Sequence, residues 1–157
     1  MTVGLVAVDA AVWAGWSLVV GTVASRLPED SFALDSKLTR LRRFERGGRV
    51  YERSGIRRWK GRVPEFGAFG GGRSKRTLPG RDAASLCRFA ADTRRAEYVH
   101  WAIAAATPLF ALWNPPALFA AMLAYGVAAN LPFIAIQRYN RARLARIAER
   151  RAVRAAV

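Results

Sequence analysis

Two stretches of the chain carry almost no charge, and they limit its possible folds more than any motif does. Val3–Ala24 is a 22-residue apolar run interrupted only by Asp9, and Val99–Ile136 is a 38-residue run without one Asp, Glu, Lys or Arg. At about 1.5 Å per helical residue the first reaches roughly 33 Å, enough to cross a hydrocarbon core of about 30 Å. The second is too long for one straight crossing. Asn114-Pro115-Pro116 lies in its middle and supplies a turn, because proline removes an amide donor and restricts the residue before it. The expected fold is an all-α membrane protein with three transmembrane helices: a single span over 3–25, and a C-terminal hairpin of Val99–Trp113 and Ala117–Ile136. The first hairpin arm is short, so its helix is expected to begin earlier, near Ala84–Arg95. Pro108 and Pro132 are each expected to kink a helix, which neighbouring membrane helices tolerate.

Charge then sets the orientation. The net charge is +15, which by itself would suggest a nucleic-acid binder. A hydrophobic content of 52% excludes a disordered basic tail, and the two apolar runs argue against nucleic acid. Residues 26–98 carry 19 Lys/Arg, and residues 138–157 carry 7, which accounts for all 26. By the positive-inside rule both segments face the cytoplasm, and the N-terminus lies outside. The expected organisation is one integral membrane domain over 1–157, with a basic cytoplasmic loop at 26–98 and a basic cytoplasmic tail at 137–157. A cleaved signal peptide would need a basic n-region, which residues 1–25 lack. The loop interleaves Phe44, Tyr51, Ile56, Trp59, Val63, Phe66 and Phe69 with its charges, a pattern that buries a loop against a membrane face or binds an amphiphile. Its glycine-rich stretch at 67–72 fits no phosphate-binding pattern. In the tail, expected to prolong the last helix, arginines can snorkel or bind anionic headgroups.

Candidate chemistry gathers at two places. Glu97 and His100 are three apart and share a helix face at the border between charged and apolar segments. A carboxylate beside an imidazole can orient it as a general base toward a hydroxyl, or the two can be a plain interfacial pair. His100 is the chain's single histidine, so any histidine mechanism within one chain uses it. The second place is Asn130, Gln137, Arg138, Asn140 and Arg141, a polar collar running from inside the last span to its end. It suits a phosphate or an amide-rich cofactor such as coenzyme A, and equally a snorkelling border. Asp9, with Trp13 and Trp16 on its helical face, is an intramembrane carboxylate and hence a functional candidate, or a group facing water near the outer end. Cys87 is the single cysteine, read as an inert thiol. There is no Gly-x-Ser-x-Gly elbow, no His-x4-Asp signature and no metal-ligating cluster.

At these two places the sequence resembles the glycosyl-4,4'-diaponeurosporenoate acyltransferase family of staphyloxanthin-type carotenoid pathways. The matching pieces are Arg26-Leu27-Pro28 with Phe32, Phe44-Glu45 with Gly47, Trp59-Lys60, Thr93–Trp101, Ala129–Pro132 and Gln137–Leu144. They follow in order across about three quarters of the chain. The resemblance implies transfer of a fatty acyl group to a sugar hydroxyl of a glycosylated carotenoid or related glycolipid at the cytoplasmic membrane face. It implies one site lined by Glu97, His100, Asn130, Gln137, Arg138 and Asn140.

The expected function is an integral-membrane O-acyltransferase of the bacterial cell membrane. His100 and Glu97 are the expected catalytic pair. Asn130, Gln137, Asn140, Trp101 and Trp59 are expected to stabilise the oxyanion or bind substrate, and Arg138, Arg141, Lys60 and Arg95 to hold donor phosphates. No cofactor or metal is expected to be tightly bound; acyl-CoA or an acyl-carrier protein serves as co-substrate. The expected partners are the bilayer, a lipid-linked glycoside acceptor, and other pathway enzymes or a second copy of the chain. The alternative is a non-catalytic membrane subunit that binds anionic lipid or a partner enzyme, with Glu97 and His100 engaged separately.

Overall fold

The computed structural model describes residues 2–63 and 82–155, and among them only helices and turns. Helix α1, Thr2–Arg26, runs through the first apolar stretch. It stops where Pro28 takes an extended conformation, since proline cannot supply the next helical amide. Two short helices, α2 (Arg49–Arg53) and α3 (Ile56–Trp59), lie in the basic segment among single 3-10 turns. Helix α4 spans Ala83–Ala105 and opens on Asp82, whose side chain accepts the Ser85 amide at 2.8 Å, satisfying one of the free donors of a helix start. Helix α5, Pro116–Ala155, begins on a proline, which needs no partner for a missing amide there.

The early start of α4 and the continuation of α5 into the basic tail agree with the sequence expectation. The count of spans does not. Among the described residues two helices, α1 and α5, are long and apolar enough to cross a membrane. The expected third, Val99–Trp113, is not a helix of that kind. α4 is charged through its first half and ends at Ala105, and the chain tightens into a 3-10 turn at Thr107–Leu112. Pro108 stands in that turn and so helps end the helix instead of kinking it. Pro132, by contrast, is carried inside α5.

The three long helices pack side by side through a few aromatic contacts. Trp13 of α1 meets Phe110 and Tyr125 at ring distances of 5.7 and 5.3 Å, and Trp16 donates its indole N–H to the Ala102 carbonyl at 3.3 Å. The α4–α5 turn therefore lies level with the first part of α1. Gly126 of α5 allows close approach: a Cβ there would run into the Thr107 side chain. Val6, Val12, Leu18, Val19 and Val23 of α1, and Leu123, Val127 and Leu131 of α5, remain exposed. A core helix of a water-soluble protein would cover such side chains, so this apolar surface suggests membrane association.

At the other end, α2, α3 and their turns form a cap on α5. Tyr51, Trp59 and Val63 pack around Ile56, Ile136 and Tyr139. Gly48, at φ +77, lies against the Tyr139 ring, where a Cβ would come within 3.1 Å. Of the loop aromatics expected to bury apolar surface, Tyr51 and Trp59 do so against α5, whereas Phe44 points outward at 72% exposure. Phe66, Phe69 and the glycine-rich stretch at 67–72 lie outside the described residues.

Candidate active site

His100 of α4 faces α5. Its Nδ1 lies 3.0 Å from Asn130 Oδ1, and its ring stacks on Phe133 at 4.5 Å between centroids, 14° from parallel. Asn130 also donates its Nδ2 to the Gly126 carbonyl at 2.9 Å. A carbonyl can only accept, so the amide end of Asn130 must face Gly126 and its oxygen must face the imidazole. Nδ1 therefore carries the proton in the neutral ring, and Nε2 is the basic nitrogen. A backbone carbonyl, through one amide side chain, thus selects the tautomer of the single histidine.

Glu97 does not share that task. Although His100 is only three residues away, the Glu97 carboxylate is fully buried and is engaged by Trp101 Nε1 at 3.1 Å, by Arg138 Nη1 at 2.6 Å and by Arg141 Nη2. Two guanidinium groups from α5 attract a buried carboxylate far more strongly than a neutral imidazole does. The expectation that Glu97 orients His100 is therefore corrected: Asn130 fills that position. Asn130 is therefore committed at its oxygen to His100 and by one amide hydrogen to Gly126.

Arg138 is corrected as well. Its Nε and Nη2 reach the two oxygens of Glu45 at 2.6 Å each, Nη1 also donates to the Leu38 carbonyl at 3.1 Å, and Nη2 donates to the Arg40 carbonyl at 3.0 Å. Every edge of this guanidinium faces protein, so it cannot also hold a donor phosphate. Arg141 Nη2 further donates to the Thr39 carbonyl at 2.9 Å. Glu45, Glu97, Arg138 and Arg141 together form a buried network of balanced charge that ties α4, α5 and the 38–45 segment into one unit. Burial alone would raise the Glu45 carboxyl, but hydrogen bonds from Arg138, Tyr51 and the Arg42 amide outweigh it and hold the group down at about 2. The Tyr51 hydroxyl, buried and donating to that carboxylate, is pushed up.

The remaining candidates divide between two places. Gln137, Asn140 and Arg141 follow Asn130 and Phe133 along one stripe of α5, at helical spacings of three and four. On that stripe Gln137 Oε1, Asn140 Nδ2, and Arg141 Nε and Nη1 are buried without a hydrogen-bond partner among the described residues. Lys60 Nζ lies 3.5 Å from Asn140 Oδ1 and over the Tyr139 ring. Trp59 is beside it in sequence but bonds the Ser54 carbonyl and packs into the cap. Arg95 points elsewhere, pairing with Asp92 at 3.4 Å and lying over Phe32. The expected phosphate-binding quartet is therefore reduced to Arg141 and Lys60. Sequence reasoning gave no role to Glu45 or Phe133. Glu45 was visible only as part of a family-like piece, and Phe133 only as an aromatic three residues after Asn130.

A second buried carboxylate lies at the far end of the helices. Asp9 is 1% exposed, and its Oδ1 accepts from Trp113 Nε1 at 2.7 Å and Asn114 Nδ2 at 2.9 Å. Its expected companions on α1, Trp13 and Trp16, contact α4, α5 and the turn instead of the carboxylate. Among the described residues no group of three or more His, Cys, Asp or Glu could hold a metal ion.

Residues 35–150 match the family model described as glycosyl-4,4'-diaponeurosporenoate acyltransferase. The chain is also 29% identical over 146 residues to a protein of Staphylococcus haemolyticus (strain JCSC1435) that bears the same description. That alignment covers 92% of this chain and 84% of the relative. No solved structure matches the chain. The matched span contains the His100–Asn130 pair and the Glu45–Glu97–Arg138–Arg141 network, but not Asp9.

Proposed function

Since the chain belongs to the glycosyl-4,4'-diaponeurosporenoate acyltransferase family, we propose that it moves a fatty acyl group from a thioester to a sugar hydroxyl of a glycosylated carotenoid or related glycolipid, with His100 as general base. The observation that carries this reading is the fixed tautomer: Gly126 orients Asn130, Asn130 holds Nδ1–H, and Nε2 is the basic nitrogen. The sugar O–H gives its proton to Nε2 as its oxygen attacks the thioester carbonyl. The carbon–oxygen ester bond forms, the carbon–sulfur bond breaks, and His100 returns the proton to the departing thiolate. Gln137 lies one helical turn past Phe133 on the same face and is the proposed oxyanion donor. One such well-placed donor is worth roughly 3–4 kcal/mol in other enzymes. Arg141 and Lys60 are the proposed contacts for a donor phosphate, and Asn140 and Trp101 are proposed to line the same face of the site.

In this reading α1 and α5 lie in the cell membrane, with the N-terminus outside and the basic segments in the cytoplasm. The end of α4 and the 107–112 turn return the chain to the level of Asp9. Acyl chain and polyene then stay in the bilayer while the reacting groups meet at its inner face, near His100. The separate engagement of Glu97 and His100 is also what the non-catalytic subunit would show, so the test must read chemistry. Purified full-length protein in lipid nanodiscs is supplied with an acyl thioester and a glycosylated carotenoid. Turnover in His100→Gln is expected to fall by about 10²–10⁴, with the melting temperature held. Unchanged turnover would overturn the proposal. Asn130→Ala is expected to lower kcat less, and to shift the acidic limb of the pH profile, because Nδ1–H loses its acceptor.

A further inference from the structure

The cap on α5 is charged far beyond what the fold uses. Between positions 42 and 62, eight arginines are exposed: Arg42, Arg43, Arg46, Arg49, Arg53 and Arg57, followed by Arg58 and Arg62. The segment has two acids of its own, and both are occupied. Glu45 is buried under Arg138, and Glu52 is shared by Arg57 and Arg146. Among the described residues Arg57 is the one exposed arginine of the eight with an ion-pair partner. Phe44, at 72% exposure, lies between Arg43 and Arg46, an apolar anchor within a basic rim, and arginine and aromatic side chains are the types enriched at protein interfaces.

Position along α5 separates the two polyanions that could face this surface. The cap touches α5 from Ile136 through Tyr139 to Arg146, a rise of about 15 Å beyond the end of the apolar run. The polar layer on each side of a bilayer is only about 5–8 Å deep. Glu52 meets both the Tyr139 hydroxyl and Arg146, so Arg53 beside it stands at the outer edge of the headgroup layer, where the cap faces the aqueous phase and a soluble protein can reach it. Breadth excludes a small ligand, since eight charges spread over four short elements exceed what one phosphate group covers.

We propose that this cap docks an acidic carrier protein, so that the acyl donor arrives as a thioester on a protein-borne flexible arm. The inference rests on the acyl-transfer reading above and names its donor class. From the cap to the level of Asn130 is about 9–24 Å along α5, a gap such an arm must span to bring its thioester to His100. The step is unchanged: the ester forms at the sugar oxygen, the carbon–sulfur bond breaks, and the carrier leaves with a free thiol.

The test uses the full chain in nanodiscs and the triple variant Arg43→Glu/Arg46→Glu/Arg49→Glu, with melting temperature as the folding control. Wild type is expected to use acyl-carrier protein with a kcat/KM that falls steeply as salt rises. The triple variant should lose roughly tenfold or more with that donor, while kcat with acyl-CoA holds within about twofold. Equal losses with both donors, or use of acyl-CoA alone by wild type, would overturn the proposal. So would a variant that loses binding to phosphatidylglycerol vesicles but keeps transfer from the carrier. If wild type uses neither donor, the acyl-transfer reading fails. Anisotropy of fluorescently labelled carrier protein then decides docking alone: salt-sensitive binding lost in the variant supports the cap, and its absence sinks it.

Discussion

Glu97 and Asp9 are both buried carboxylates, one near each end of the helices, yet they are held in opposite ways. Glu97 meets two guanidinium groups and an indole, and through Arg138 it joins a second carboxylate, Glu45. Asp9 meets only an indole and a side-chain amide, with Oδ2 buried and without a partner among the described residues. The first arrangement locks: removing one member strands a charge in a low dielectric. The second merely pins, because both of its donors are neutral and no guanidinium faces it. The chemistry of the His100 end thus rests on a rigid foundation, whereas the turn at the Asp9 end is held by few contacts.

The sharpest way to break this contrast is to remove Arg138. Arg138→Met leaves Glu45 and Glu97 short of their main partner and should cost about 3–5 kcal/mol, read as a large fall in the unfolding midpoint in detergent. A loss below about 1 kcal/mol would mean the network is not a lock. Acid should reach the same site next. The carboxyl of Glu45 is held at about 2, below its ordinary 4.5, so its contribution is full above pH 4.5 and is lost as pH falls toward 2. That contribution, on the order of 3 kcal/mol, should be absent from the acid unfolding curve of Glu45→Gln. At the opposite end, Gly126→Ala would force a methyl against Thr107 and should cost about 1–3 kcal/mol through overpacking. Asp9→Asn should cost least, about 0.5–1.5 kcal/mol, since neutral hydrogen bonds between membrane helices are weak. An Asp9→Asn loss matching that of Arg138→Met would erase the difference between the two ends.

What could be read from sequence follows from the range of the forces involved. α1 and α5 were legible because a charge-free run is a local property of consecutive residues. The third arm was misjudged because lack of charge says nothing of backbone hydrogen bonding, and the chain around Pro108 closes a 3-10 turn where a helix was expected. The residues of the site were legible as types in pattern, but their pairing was not. Glu97 and His100 are neighbours in sequence, so the eye joins them. Their partners come from positions 130, 138 and 141, and which of these meets which depends on the register of α4 against α5. Glu45 was harder still, because its partner is 93 residues away and nothing local marks it as buried. The carbonyls of Leu38, Thr39 and Arg40, which complete the network, carry no sequence signal at all.

Pro132 gives α5 an uneven stiffness. Lacking an amide hydrogen, it leaves the Ala128 carbonyl without its helical partner, and it stands between Asn130, which holds the imidazole, and Gln137. Below it the rod is clamped through Arg138 and Arg141, and above it by the near contact of Gly126 with Thr107. Compliance is therefore concentrated in the single turn that carries Phe133, the ring on which His100 rests. That one turn can flex beside the imidazole without parting the helices or loosening the ion-paired base beneath them.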